Sequence, residues 1–301
     1  MANLRDLRLR IRSVQNTQQI TKAMKMVAAA RLNRAQERIH SGRPYFQQLD
    51  ALLELLAPKL ASSTHPLSQK KEAGKALLLV IAGDRGLCGA YNTNILRFAT
   101  QYARNTFKSQ DEYAFIALGR KAEQFLRFRK YPIQRSFVRL PITLPYRFTR
   151  DISDYLIQQM SDPNVRSVTL FYSRFANLAR HVPTRIPLLP VKSLERLEPL
   201  NKPSDANPQS RTPKPDIQFD FEPKPEVILD MLLPKVINLR IFQALAEAMA
   251  SEQAARMIAM DNATENAAEI IRSLSMEYNR ARQESITKDL MDIVGGAEAL
   301  K

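Results

Sequence analysis

Between Lys235 and Val294 the chain contains neither proline nor glycine, and Pro234 stands immediately before this run. A proline suits the first turn of a helix, because its missing N–H has no partner there in any case. Ten of the twenty-five residues from Ala244 to Ala268 are alanine, the residue that favours a helix most. At 1.5 Å per residue such a helix would be roughly 90 Å long, against about 30 Å for a small domain. It needs a partner along its length. Heptad spacing runs through Ile241, Leu245, Ala248, Glu252, Ala255, Ala259, Asn262 and Asn266, as in a left-handed coiled coil. The small residues at its centre admit a close partner helix, while Glu252, Asn262 and Asn266 interrupt the apolar line. An ordinary amphipathic surface helix is the competing interpretation, and the unbroken length argues against it.

A second such stretch opens the chain. Ala2 to Ser41 again lacks proline and glycine, enough for a helix of about 60 Å. Leu4, Leu7, Ile11 and Val14 keep heptad spacing until the polar run Gln15-Asn16-Thr17-Gln18-Gln19. The apolar stripe resumes at Ile20, Met24 and Val27, then Leu32, Ala35 and Ile39, a phase shift that predicts altered winding. Gly42-Arg43-Pro44 is expected to punctuate the helix, with Tyr45–Leu60 as an amphipathic continuation. The two long helices are natural partners. Residues 1–41 hold nine Lys/Arg against two acids, whereas Lys235–Val294 holds seven against nine.

Between them the period changes. Ala76–Ala82 is a short, continuously apolar run, as in a strand buried on both faces. Strand-like segments also lie at Tyr113–Leu118, Ile133–Val138 and Val168–Phe175, and helical ones at Thr93–Phe107, Arg120–Tyr131 and Asp151–Met160. This alternation predicts an α/β domain with a largely parallel sheet. From Glu198 to Pro225 seven prolines stand among polar residues, which reads as an extended connector. The expected segments are therefore 1–60 (first long helix), 75–197 (α/β body), 198–226 (connector) and 227–301 (second long helix).

Catalytic chemistry finds little support. Gly83-Asp84-Arg85-Gly86-Leu87-Cys88-Gly89 sits where a phosphate loop would follow a strand, but matches neither nucleotide-binding glycine pattern. A tight structural turn is expected instead. The single Cys88 has no activating histidine nearby in sequence and permits no internal disulfide. His40, His65 and His181 lack metal-ligand spacing and read as surface residues. Asp151 and Asp154 read as helix-start carboxylates. No cofactor or metal site is expected. No run approaches the apolar length of a membrane span, and the N-terminus lacks the apolar core of a secretory signal. The net charge of +15 points to an acidic partner. Near the far end of the second helix, Arg280, Arg282, Gln283, Thr287, Lys288 and Asp289 crowd one stretch, either a solvated face or a grip on a partner.

The C-terminal Ile286-Thr287-Lys288-Asp289-Leu290-Met291-Asp292-Ile293-Val294-Gly295-Gly296-Ala297 resembles a signature of the gamma subunits of F-type ATP synthases, with Asp289 where that family usually has glutamate. Four further stretches resemble the same family in the same order. They are Gln15–Ala30, Asp84–Gly89, Ala250–Met257 and Asn279–Gln283. The resemblance implies an antiparallel coiled coil of the terminal helices with an inserted Rossmann-like α/β domain. It implies a non-catalytic rotary shaft, coupling a proton-driven c-subunit ring to nucleotide affinity in the beta subunits. Three alpha and three beta subunits, the epsilon subunit and the c ring are the implied partners, at the cytoplasmic face of the cell membrane. Implied contacts with the alpha/beta ring are Met24, Glu252, Arg256, Arg282, Gln283, Thr287 and Asp289. For the c ring they are Phe219, Phe221 and Glu222. The connector is longer than in short bacterial relatives, and the absence of a cysteine pair excludes a thiol switch there. A basic coiled-coil protein binding nucleic acid is the alternative from charge alone, but its basic residues should then cluster with aromatics on one face. A tethering coiled coil is a second, and it would not require the signature at the tip.

Overall fold

A computed structural model describes residues 4–61, 65–69, 71–191, 222–223 and 225–298. The elements run α1 (Leu4–Ala61), β1 (Lys75–Ile81), α2 (Tyr91–Thr106), a 3-10 turn (Gln110–Glu112), β2 (Tyr113–Leu118), α3 (Arg120–Phe128), β3 (Ile133–Phe137), α4 (Tyr146–Ser161), β4 (Val165–Phe175), β5 (His181–Leu189) and α5 (Pro225–Glu298). The chain divides into two compact units, Arg31–Ala255 and Met1–Ala30 with Arg256–Lys301.

In the larger unit a five-stranded sheet has the order β3-β2-β1-β4-β5. The first four strands are mutually parallel, and β5 lies antiparallel on β4. β1 is central, and its alternate side chains feed two cores. Leu77, Leu79 and Ile81 join Ile152, Leu156 and Met160 of α4, Leu32, Ala35 and Ile39 of α1, and Ile237, Ile241 and Leu245 of α5. Ala76, Leu78 and Val80 face the other way, against Ile95, Leu96 and Ala99 of α2 and Ala122 and Leu126 of α3. Burial on both faces is why this strand is continuously apolar. Each fully buried Leu or Ile contributes about 1.5–3 kcal/mol.

Several expectations need correction. α1 runs without a break through Gly42 and Pro44, and α5 begins nine residues before Pro234 and passes through it. Proline costs a helix about 3 kcal/mol. The flanks offset that cost: Leu229, Leu233, Val236 and Ile237 are all buried, and Leu49 of α1 packs on Val236. The sequence pattern did not single out β5, which carries Pro183 and Pro187. It is an edge strand, where a missing N–H can face away from the sheet. Asp151 and Asp154 lie inside α4 rather than at its start, and Asp154 pairs with Arg150 at 3.6 Å. Two of the histidines are not simple surface residues. His65 pairs with Asp230 at 3.1 Å. His181 stacks on Phe175, and burial lowers its pKa.

Candidate functional site

In the smaller unit, residues of α1 and α5 pair along a continuous seam. Arg8 donates to the Tyr278 hydroxyl at 2.6 Å, the Thr21 and Thr264 hydroxyls meet at 2.8 Å, and the Lys25 ammonium meets Asp261 at 2.5 Å. Position on α1 advances from 8 to 21 to 25 while position on α5 retreats from 278 to 264 to 261, so the helices are antiparallel. On α1 the seam runs through Leu4, Leu7, Ile11, Val14, Gln18, Thr21, Lys25 and Ala28, with Met24 and Ala29 half-buried beside it. Their spacing alternates three and four throughout, as a coiled coil requires.

The expected phase shift is therefore absent. Gln18 and Thr21 occupy seam positions within the polar run, and the apolar Ile20 and Val27, expected in the stripe, are 60% and 51% exposed. On α5 the seam runs through Met260, Thr264, Ala267, Ile271, Leu274, Tyr278, Ala281 and Ser285. It lies one to two residues beyond the expected line through Ala259, Asn262 and Asn266, and both asparagines are exposed. The expected line did follow Ile241, Leu245 and Ala248 correctly, because these are buried in the larger unit.

On α5 the last covered position is Ser285, and every side chain from Ile286 to Val294 is exposed. Ile286, Leu290, Met291, Ile293 and Val294 are all at least half exposed. These apolar residues were not singled out from sequence. The readable signal was an apolar pattern that continues past the last covered position of α5. Arg282, Gln283, Thr287 and Asp289 are exposed on the same end. Met24 is half-buried beside the Lys25–Asp261 pair.

Two of the anticipated contacts sit differently. Glu252 packs so closely on the larger unit's first turn that a Cβ at Gly83 would fall 2.9 Å from its carboxyl carbon. Arg256 is only 7% exposed. Glu222 is exposed, while Phe219 and Phe221, with most of the 198–226 connector, lie outside the described residues.

The Gly83–Gly89 segment is a structural turn. Asp84 accepts from the amides of Arg120 (2.8 Å), Leu140 (2.6 Å) and Arg139 (3.3 Å), and Asn92 accepts from Gly83 N–H at 2.8 Å. The Asp84 carboxylate thereby caps α3 and ties the turn to the segment after β3. Beside it, Gly119 has φ of 95°, and a Cβ there would fall 2.0 Å from the Ala82 carbonyl oxygen. Cys88 is buried and receives a hydrogen bond from the Asn92 amide at 3.1 Å. Tyr91 and Ser251 hold α5 to the sheet layer by donating to the carbonyls of Ala248 (3.0 Å) and Ser173 (3.0 Å). Among the described residues no cluster of three or more His, Cys, Asp and Glu could hold a metal. No described helix is long and apolar enough to cross a membrane.

Comparison with known proteins agrees with this geometry. The family described as ATP synthase matches residues 3–300. The chain is 40% identical over 301 residues to the ATP synthase gamma chain of Desulforamulus reducens and 42% identical over 315 to that of Trichormus variabilis, covering all of each. Among solved structures, a chain from the Tetrahymena thermophila mitochondrial ATP synthase central stalk and c-ring is 26% identical, with a TM-score of 0.58, covering 81% of this chain and 99% of that one. A chain from the Euglena gracilis mitochondrial ATP synthase OSCP/F1/c-ring structure has a TM-score of 0.64 at 19% identity, covering 99% of this chain and 94% of that one, which supports the fold. These full-length matches displace the nucleic-acid alternative. The chain belongs to the ATP synthase gamma chain family, whose members are non-catalytic rotary subunits of the central stalk.

Proposed function

We propose that the smaller unit is the part of the rotor that bears on a ring of three alpha and three beta subunits, and that the exposed end of α5 is its contact surface. The observation that carries this reading is the exposed end of α5, where apolar Ile286, Leu290, Met291, Ile293 and Val294 lie uncovered among exposed Arg282, Gln283, Thr287 and Asp289. An apolar end of this kind needs a partner surface that excludes water, and the polar residues around it offer directional, charge-assisted hydrogen bonds. Shaft angle and nucleotide occupancy then bias each other reciprocally. Moving a two-state site from 1:99 to 99:1 takes about 5.5 kcal/mol, which a few charge-assisted contacts of about 1.5–3 kcal/mol each supply.

The Glu222 segment, with Phe219 and Phe221, is proposed to face the c ring, and the epsilon subunit completes the rotor. The complex lies at the cytoplasmic face of the cell membrane, with this chain peripheral and proton flow driving rotation. Met24 is proposed to pass close to the beta subunits. Glu252 and Arg256, being packed within the chain, hold the helix rather than grip the ring.

The test is ATP turnover by the assembled complex carrying Arg282→Ala with Gln283→Ala. Turnover is expected to fall several-fold while the isolated chain melts at the wild-type temperature, and unchanged turnover would overturn the contact assignment. A cysteine replacing Glu222 should cross-link to a c subunit; capture only of alpha or beta chains contradicts that placement.

A further inference from the structure

In the larger unit a cleft of about 250 Å³ opens between the end of α2, the 3-10 turn, the start of β2 and the connection from α3 to β3. Arg104, Lys108 and Arg129 line it, and no carboxylate is among its lining residues. Both arginines are held in place by aromatic neighbours. Arg104 donates to the Tyr131 hydroxyl at 2.9 Å. Arg129 lies over the Phe125 ring at 4.6 Å. Concentrating three like charges on one concave surface, two of them pre-oriented, is unfavourable unless an anion offsets them.

We propose that this cleft binds a phosphate group, carried on a small free molecule or on a lipid headgroup, through Arg104, Lys108 and Arg129. Arginine's planar fork matches phosphate oxygens two at a time. The Tyr131 hydroxyl accepts from Arg104 and orients its guanidinium at the cleft wall. Burial and the neighbouring Tyr131 push the Tyr113 phenol up, against the pull of Arg104, so it stays a donor. The volume lies below the roughly 300–1,000 Å³ of sites for drug-sized ligands, which limits the occupant to a compact group. Nucleic acid does not fit. Phe107, Tyr113 and Tyr131 are each less than a tenth exposed and offer no face on which a base could stack. Carboxylates of the adjoining turn are turned back on it, Asp111 bonding the Ser109 hydroxyl and Glu112 the Ser109 amide. The neighbouring Phe128 is 88% exposed, an apolar side chain that a lipid surface would cover and a free anion would not.

The experiment uses the full-length chain in two arms. Calorimetry measures binding of inorganic pyrophosphate, and co-sedimentation measures binding to vesicles of phosphatidylglycerol and phosphatidylcholine. Arg104→Gln with Arg129→Gln is compared with Arg10→Gln plus Arg272→Gln, which removes the same charge from exposed positions of the smaller unit. Lys108→Gln alone serves if the cleft double variant does not fold. One-to-one pyrophosphate binding, weakened at least tenfold by the cleft variants and within twofold of wild type in the remote control, supports the site with a free ligand. Vesicle binding without pyrophosphate binding, lost in the cleft variants and in Phe128→Ala, supports a lipid headgroup. Absence of binding in both arms, or equal loss in the remote control, overturns the proposal.

Discussion

The hydroxyl oxygens of Thr21 and Thr264 lie 2.8 Å apart across the antiparallel helix pair. Each is also within bonding distance of its own helix, Thr21 of the Gln18 carbonyl at 3.0 Å and Thr264 of the Met260 carbonyl at 2.7 Å. Each hydroxyl has one proton. One therefore donates across the seam while the other donates to its own backbone. This is the polar counterpart of an apolar seam contact, and it fixes the register of the two helices at one level.

Thr21→Val and Thr264→Val are each expected to destabilise the chain by about 1 kcal/mol, since each leaves its partner's hydroxyl with a poorer arrangement. The double variant should lose less than the two singles together, by about 0.5–1 kcal/mol. Urea denaturation of all four proteins checks this. Strict additivity would mean that the hydroxyls do not interact.

Glu247 of α5 carries a pH prediction. It is buried in the larger unit against Tyr172, and burial raises its carboxyl from 4.5 to about 7, with Gln243, Arg174 and Tyr172 opposing the shift. The folded chain thus holds this proton more tightly than the unfolded one. The resulting stabilisation is present in full below about pH 4.5 and is lost as pH rises through 7, a total of up to roughly 3 kcal/mol. Glu247→Gln should flatten that part of the stability profile. Its advantage over wild type should grow between pH 5 and pH 8 in urea denaturation, and a parallel displacement of the two profiles would contradict the assignment.

The strands β1 and β2 were legible in the sequence because burial on both faces leaves almost no polar position to confuse the pattern. Leu77–Ile81 and Tyr113–Leu118 are the clearest cases. The seam of the long helices was harder to read. Its contacts include Thr21, Lys25 and Thr264, whose polar groups are matched across the interface by partners that sequence periodicity does not reveal. Apolar residues such as Ile20 and Val27 lie on the outer face, so hydrophobicity alone points to the wrong stripe. Pro234 looked like a boundary because local propensity ignores the tertiary burial around it. At the candidate contact surface, motif resemblance supplied Arg282, Gln283, Thr287 and Asp289. The apolar end is visible only in the exposure of the individual side chains along α5.

Asp84 is expected to matter for folding rather than for ligand binding. Its carboxylate bonds amides at the start of α3 and in the segment after β3, and a charged acceptor is worth about 1.5–3 kcal/mol. Asp84→Ala should lower stability by about that amount, whereas Asp84→Asn, which keeps one carbonyl acceptor, should lower it less. Thermal melts of the isolated chain provide the comparison. Equal, negligible shifts would remove the turn's structural role.

Met24→Lys tests the proposed approach of the beta subunits to α1. Met24 is half-buried, and the adjacent Lys25 already pairs with Asp261. Lys25 therefore presents less free charge than the sequence suggests, and a lysine at position 24 would add a new unpaired cation. Against a carboxylate on the ring, that cation adds an attraction in one angular state and raises the barrier to leaving it. A pair worth about 1.5–3 kcal/mol slows the step more than tenfold if none of it persists in the transition state. ATP-driven proton pumping should then fall more than ATP hydrolysis in membranes carrying the variant. Competition for Asp261 within the chain is the rival explanation. It predicts a weakened helix pair in the isolated subunit, so the melting temperature must stay at the wild-type value. Met24→Gln should leave both activities intact, since it is polar but carries no charge. Wild-type pumping and hydrolysis in Met24→Lys would show that Met24 only fills space beside the helix seam.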